Sequence, residues 1–216
     1  MTDFIVNKPK LQTGERFQVY KFEYLQDMTD HIYYCRFDEE LRQQILEHKE
    51  SLFSKPYNYT LVGHIQKENQ LVESHPLAHT IQQEIAKHAT NYFSFFNPSP
   101  VTSIIQQDHS GLAIWLNEMK ATEFNPVHKH GGIISWVAYI DVPEEIRQES
   151  EDTSQVENVK GCITILSERT TESMHFNPRS GDILMFSAKQ RHLVSPFYSD
   201  NTRITMAGNI WGLHHE

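Results

Sequence analysis

Cysteine is nearly absent: 216 residues contain two, Cys35 and Cys162. Two are too few for a disulfide framework, so both read as reduced, buried thiols, and a cytoplasmic setting is expected. Basic charge is also short. Nineteen Lys and Arg stand against 28 Asp and Glu, a formal net charge of −9. That balance argues against nucleic-acid binding driven by bulk phosphate contacts. Long apolar runs are missing as well. The longest, Ile133–Ile140, already contains Ser135 and falls far short of the ~20 residues that span a bilayer. No membrane partner is expected. The opening residues lack the basic and apolar blocks of a secretory signal, so none is expected. No internal repeat or low-complexity tract occurs. No G-x-S-x-G elbow is present. Gly131-Gly132 is not followed by the helix start and Gly-Lys-Ser of a phosphate loop. Neither cysteine has a Cys–His context that favours a nucleophile.

What is present describes a globular chain. Hydrophobic residues make up 38% and charged residues 22%, enough apolar surface for one sizeable core. The first hundred residues read as mixed and mainly helical. Phe37–Phe53 places Leu41, Ile45, Leu46, Leu52 and Phe53 near helical spacing, with Asp38 as N-cap. Pro76–Phe96 places Leu77, Ile81, Ile85 and Phe93 near one face, and Asn97–Pro100 stops it. After Pro100 the texture changes to short β-branched and aromatic runs. These are Ser103–Gln107, Leu112–Leu116, Ile133–Val142, Gly161–Leu166, Asp182–Phe186, His192–Ser195 and Thr202–Ile210. Short strands punctuated by Gly, Pro, Asn and Ser predict a sandwich or barrel. The polar, acidic stretch Pro143–Lys160 reads as a solvated loop or mobile lid. The expected fold is mainly β with N-terminal helices: a double-stranded β-helix, or cupin-like jelly roll. Residues 1–100 are expected to support a metal-binding core at 101–216, all within one compact unit. A homodimer is compatible with this organisation.

Thirteen histidines are many for this length, and most are expected to be ordinary surface or hydrogen-bonded residues. His128-Lys129-His130 is different, because residues i and i+2 of a strand share a face. Both imidazoles can approach one ion while Lys129 points away. His192 opens another short run and completes a tripod if the sheet curls. Three facial ligands leave open positions on a metal, as a catalytic site requires. Arg203 and Thr205 follow after a turn at Ser195–Asn201. Two antiparallel strands joined by that turn would bring Arg203 back beside His192. An inward arginine among apolar neighbours needs an anion, and its planar fork matches a carboxylate. Alone it would more often pair with a buried acid. Beside a histidine tripod, a small dicarboxylate bridging metal and arginine is the better reading. Trp115, Trp136 and Trp211 read as core or pocket walls.

These motifs, in this order, resemble the iron(II)- and 2-oxoglutarate-dependent oxygenases, in particular a group of small bacterial and phage members. The matching pieces are Trp115-x-Asn117, Asn125-Pro126-x-His128-x-His130-Gly131 and Ser135-x-x-x-Tyr139-Ile140-x-x-Pro143. Pro178-x-x-Gly181-Asp182-x-x-x-Phe186, His192 and Arg203-Ile204-Thr205 complete them. The resemblance covers about residues 110–210. It implies that His128 and His192 ligate iron(II), and that Arg203 and Thr205 hold the distal carboxylate of 2-oxoglutarate, with Tyr139 adding a hydroxyl. It implies a dioxygenase that uses O2 to hydroxylate a substrate C–H. The family's usual ligand pattern is His-x-Asp or His-x-Glu, and here the second position is His130. Either His130 ligates the metal, or another acid or a water takes that place. The departure keeps two rivals open: a cupin-like three-histidine enzyme that does not use 2-oxoglutarate, and a non-catalytic jelly roll with vestigial histidines.

Overall fold

The computed structural model describes residues 10–13, 17–21, 31–96, 112–151 and 158–211. Thirteen strands are β1 Lys10–Thr13, β2 Phe17–Lys21, β3 His31–Arg36, β4 Phe53–Pro56, β5 Lys67–Leu71, β6 Leu112–Lys120, β7 Asn125–His128, β8 Ile134–Asp141, β9 Ile163–Leu166, β10 Ser173–Phe176, β11 Asp182–Ser187, β12 His192–Val194 and β13 Thr202–Ile210. The helices are α1 Glu39–Leu52, α2 Ala78–Phe96 and α3 Glu144–Glu151. The strands form a nine-stranded sheet, β1-β2-β3-β11-β8-β13-β6-β5-β4, and a four-stranded sheet, β10-β9-β12-β7. This is the double-stranded β-helix expected.

Period-two alternation sorts the side chains of the large sheet between two cores. Trp136, Ala138 and Ile140 of β8, Ile183 and Met185 of β11, and Ile204 and Met206 of β13 join one cluster. In that cluster they meet Leu41, Ile45 and Leu52 of α1, and Ile81, Ile85 and Tyr92 of α2. The intervening residues face the small sheet: Tyr139, Leu184 and Phe186 pack with Ile163, Ile165, Met174 and Phe176. The helices therefore buttress the sheet from behind, and the cavity lies between the sheets.

Local signals account for both long helices. The Asp38 side chain accepts the Leu41 N–H at 2.8 Å, and Glu39 and Glu40 occupy the first turn. Three expectations need correction. First, residues 1–100 hold the two expected helices but also carry unexpected strands: β1 to β5 supply five strands of the large sheet. The sequence KENQL of β5 shows no apolar alternation, because pairing with β6 rather than its own pattern makes it a strand. Second, Pro143–Lys160 is not simply a loop, since it begins with α3. Buried Ile146 packs with Ile65, Met119 and Phe197. The Glu149 carboxylate accepts the backbone N–H groups of Tyr198 and Ser199 at 2.8 and 2.7 Å. Acids in the first turn and one apolar anchor suffice to fold and dock this helix. Residues 152–157 of that stretch, and the strand expected at Ser103–Gln107, lie outside the described residues.

The third correction concerns β12 and β13. They do not form a hairpin. His192–Val194 pairs with β7 and β9 in the small sheet, whereas β13 lies between β8 and β6 in the large one. Seven of the nine β13 residues are buried, which only a central strand covered on both faces allows. Neither cysteine is in a disulfide among the described residues, and both are buried, as expected. No described helix is long and apolar enough to cross a membrane.

Candidate metal centre

The small sheet brings His128 and His192 together directly, as cross-strand partners of β7 and β12. Their ring centroids are 4.2 Å apart. His130 reaches them differently from the i, i+2 expectation. Strand β7 ends at His128, and His130 lies in the loop beyond, held by its N–H bond to the Ala188 carbonyl at 2.9 Å. Gly132, at φ +91°, turns that loop into β8, and a Cβ there would meet the Ile210 carbonyl at 2.7 Å. One ligand atom from each histidine falls within 4.8 Å of the others.

The imidazoles suit a metal. His128 Nδ1 lies 2.7 Å from the Pro126 carbonyl, and His192 Nδ1 lies 3.0 Å from the Gln190 carbonyl. A carbonyl only accepts, so each Nδ1 carries the proton and each Nε2 keeps a lone pair. Burial lowers the pKa of all three. It holds His130 at about 4, with His128 adding repulsion, and pushes His192 well below its ordinary value. Neutral imidazoles are the ligating form. The donor set is three neutral nitrogens with no carboxylate, so a bound divalent ion keeps its full charge for anionic ligands.

Across the cavity, the large sheet presents a polar row. Register places Glu68 of β5 opposite Asn117 of β6, Asn117 opposite Thr205 of β13, and Thr205 opposite Tyr139 of β8. A one-residue bulge that leaves Ile140 unopposed puts Tyr139 in that row. Thr205 Oγ1 accepts the Asn117 side-chain N–H at 3.1 Å, leaving its own hydroxyl proton to donate. The Tyr139 hydroxyl is buried, which raises its pKa and keeps it protonated.

Arg203 is 2% exposed. Its guanidinium donates to the Gly161 carbonyl at 2.5 Å and to Met119 Sδ at 2.8 Å. It lies 5.9 Å from the Tyr139 ring centre and 5.7 Å from that of Phe197. Its Nε has no partner, and no carboxylate pairs with it among the described residues. Burial accordingly lowers its pKa.

The three histidines, Tyr139, Arg203 and Thr205 line one cavity, and so do Glu68, Trp115, Asn117, Asn125 and Trp136. Glu68 was not singled out from sequence, and Asn117 and Asn125 only as part of a resemblance. Nothing in the sequence marks Glu68 as buried. Trp211, expected in the core or a pocket wall, is 50% exposed, and its ring covers Gly131. His88 is a hydrogen-bonded core residue, between Tyr33 and Glu84.

In this curled two-sheet fold, three convergent histidines that could hold a metal ion share a cavity with a buried arginine that could take an anion. Residues 113–209 match the family described as "Putative 2OG-Fe(II) oxygenase". The matched segment is a little under half of the chain, and its sequence pattern is similar to that of the iron(II)- and 2-oxoglutarate-dependent oxygenases. The prolyl-4-hydroxylase of Pseudomonas putida shares the fold at a TM-score of 0.53 and 11% identity, over 84% of this chain and 92% of that one. A Trichoplax adhaerens prolyl hydroxylase, solved with a hypoxia inducible factor oxygen degradation domain peptide fragment, superposes at 0.50 with 10% identity, over 83% of each chain. A search of curated proteins finds no match.

Proposed function

We propose that this protein is an iron(II)- and 2-oxoglutarate-dependent dioxygenase that hydroxylates a substrate C–H bond. The observation that carries this reading is Arg203. A buried guanidinium with only a carbonyl, a thioether and two ring faces around it is an uncompensated charge. Leaving such a charge unpaired costs several kcal/mol, on the order of 3–5. A carboxylate in the cavity would compensate it, and the cosubstrate's distal carboxylate is the natural candidate. Thr205 would donate its free hydroxyl proton to the same group, and Tyr139 would add a second donor. His128, His130 and His192 would hold iron(II) through neutral nitrogens, with His128 and His192 oriented by the Pro126 and Gln190 carbonyls. When bound, the iron and cosubstrate together supply the oxidising chemistry. The chain orients the reactants and keeps water out of a cavity walled by Trp115, Phe186 and Val194.

We also take residues 1–100 as support for the core at 101–216, since all three histidines and Arg203 fall in the latter. One observation favours the cupin-like rival, a three-histidine enzyme without 2-oxoglutarate: His130 stands where a carboxylate is usual. Anaerobic titration with iron(II) and 2-oxoglutarate tests the choice. A visible charge-transfer band that needs both additions supports the proposal. Iron binding without that band, and no succinate formed in air, moves the assignment to the rival.

A further inference from the structure

The polar groups that line the cavity are divided by strand. Arg203 Nε on β13 is a buried donor without a partner among the described residues. Glu68 Oε2 on β5, Asn117 Oδ1 on β6 and Asn125 Oδ1 on β7 are buried acceptors in the same condition. Native proteins rarely leave such atoms unpaired, so each calls for a partner, whether water, an ion or a ligand group.

We propose that Glu68, Asn117 and Asn125 form a cation subsite that takes the primary ammonium group of the substrate. This assignment of substrate class rests on the oxygenase function proposed above. Three observations carry it. Glu68 is 1% exposed, yet one of its oxygens has no hydrogen-bond partner. Asn117 is its cross-strand neighbour, so the two side chains share the face that meets the cavity. Asn125 is brought to the same place from the small sheet. A Cβ built on Gly63 would lie 2.0 Å from Asn125 Oδ1 and 3.5 Å from Glu68 Oε1, so both oxygens border the space that glycine leaves open at this position. Backbone ties hold this loop in place: the His64 N–H bonds the Phe124 carbonyl at 2.8 Å, and the Gln66 N–H bonds Glu123 Oε1 at 3.1 Å.

Three acceptors match the three N–H donors of an alkylammonium, and the carboxylate matches its charge. Trp115 shares the cavity and the Asn117 face of β6, and it offers a π surface to the same cation. Burial, and then the neighbouring Glu123, raise the Glu68 carboxyl to about 7. A cation at Oε2 reverses that preference and releases the proton. The Glu68 and Arg203 strands are two strand spacings apart, about 10 Å. The dicarboxylate and the amine are thus directed to opposite ends of one cavity. Each end repels the other's ligand.

The test uses the full chain without metal or cosubstrate, in amine-free buffer near pH 8, with n-butylammonium as probe and n-butanol as its uncharged counterpart. Calorimetry should show n-butylammonium binding in preference to n-butanol. Glu68→Gln should weaken the amine roughly 10- to 100-fold, as for a lost charged hydrogen bond. Gly63→Ala, which fills the cradle and leaves the carboxylate in place, should weaken it too. Equal amine binding by wild type and Glu68→Gln, or equal binding of alcohol and amine, overturns the subsite. A second arm loads iron and 2-oxoglutarate and measures succinate. Stimulation by primary amines in wild type but not in Glu68→Gln supports the substrate class. No stimulation by any of a panel of primary amines, in protein that does turn over 2-oxoglutarate, overturns it. Amine binding in a protein that makes no succinate leaves the subsite standing and removes the oxygenase function instead.

Discussion

Glu68→Gln tests whether a buried carboxylate is kept in the cavity at a cost to the fold. Burial and Glu123 raise its pKa from 4.5 to about 7. Below 4.5 both folded and unfolded chains hold the proton, and the group is neutral toward stability. As pH rises above 4.5 the unfolded chain ionises while the folded one does not. The folded state therefore loses ground until pH passes 7, where the penalty levels off. At about 1.4 kcal/mol per pKa unit, the full penalty is on the order of 3 kcal/mol. About 1 kcal/mol of it is present at pH 5 and nearly all at pH 8. Glutamine keeps the shape and never ionises. Its stability relative to wild type should therefore rise by roughly 2 kcal/mol between pH 5 and pH 8, or about 4–8 °C in Tm for a chain of this size. Urea unfolding of both proteins at the two pH values measures this directly. An equal difference at both pH values would refute the placement of an ionising Glu68 in a dry site.

The other expectations concern the metal, the anion and the sheet. His192→Ala should abolish binding of a divalent transition metal while leaving the far-UV circular dichroism unchanged, and metal bound as tightly as in wild type would dismiss the tripod. Arg203→Ala should weaken 2-oxoglutarate roughly 30- to 5,000-fold in calorimetry of metal-loaded protein, the equivalent of about 2–5 kcal/mol. Arg203→Lys should recover only part of this, since an ammonium lacks the planar fork, and Thr205→Ala should cost about 1 kcal/mol. Equal affinity of wild type and Arg203→Ala would sink the anion role. Gly208→Ala should destabilise by about 1–3 kcal/mol in urea, because a Cβ there would stand 2.3 Å from the Ala113 carbonyl oxygen and 2.6 Å from Trp136. Unchanged stability would contradict the close approach of β13 to β6.

Some of this protein is determined locally. Thr202–Ile210 was legible as a strand to its exact ends, because its apolar pattern and flanking Asn201 need no partner to be recognised. Asp38 and the acids after it announce α1 for the same reason. His128, His130, His192 and Arg203 stand out because few structural roles call for those residues among short apolar runs. Other features depend on distant pairing. β5 is a strand because β6 offers an edge, not because KENQL alternates. β12 and β13 enter different sheets because a strand buried on both faces needs two neighbours and two covering layers, which no turn between them encodes. His130 joins the other histidines from a loop held by Ala188, not from a shared strand. Glu68 is the sharpest case. A glutamate in a polar pentapeptide reads as solvated, and only the tertiary structure, by placing Asn117 beside it and Asn125 across Gly63, removes it from water. Sequence specifies what each short segment prefers; the burial of a polar group is decided by what the rest of the chain packs over it.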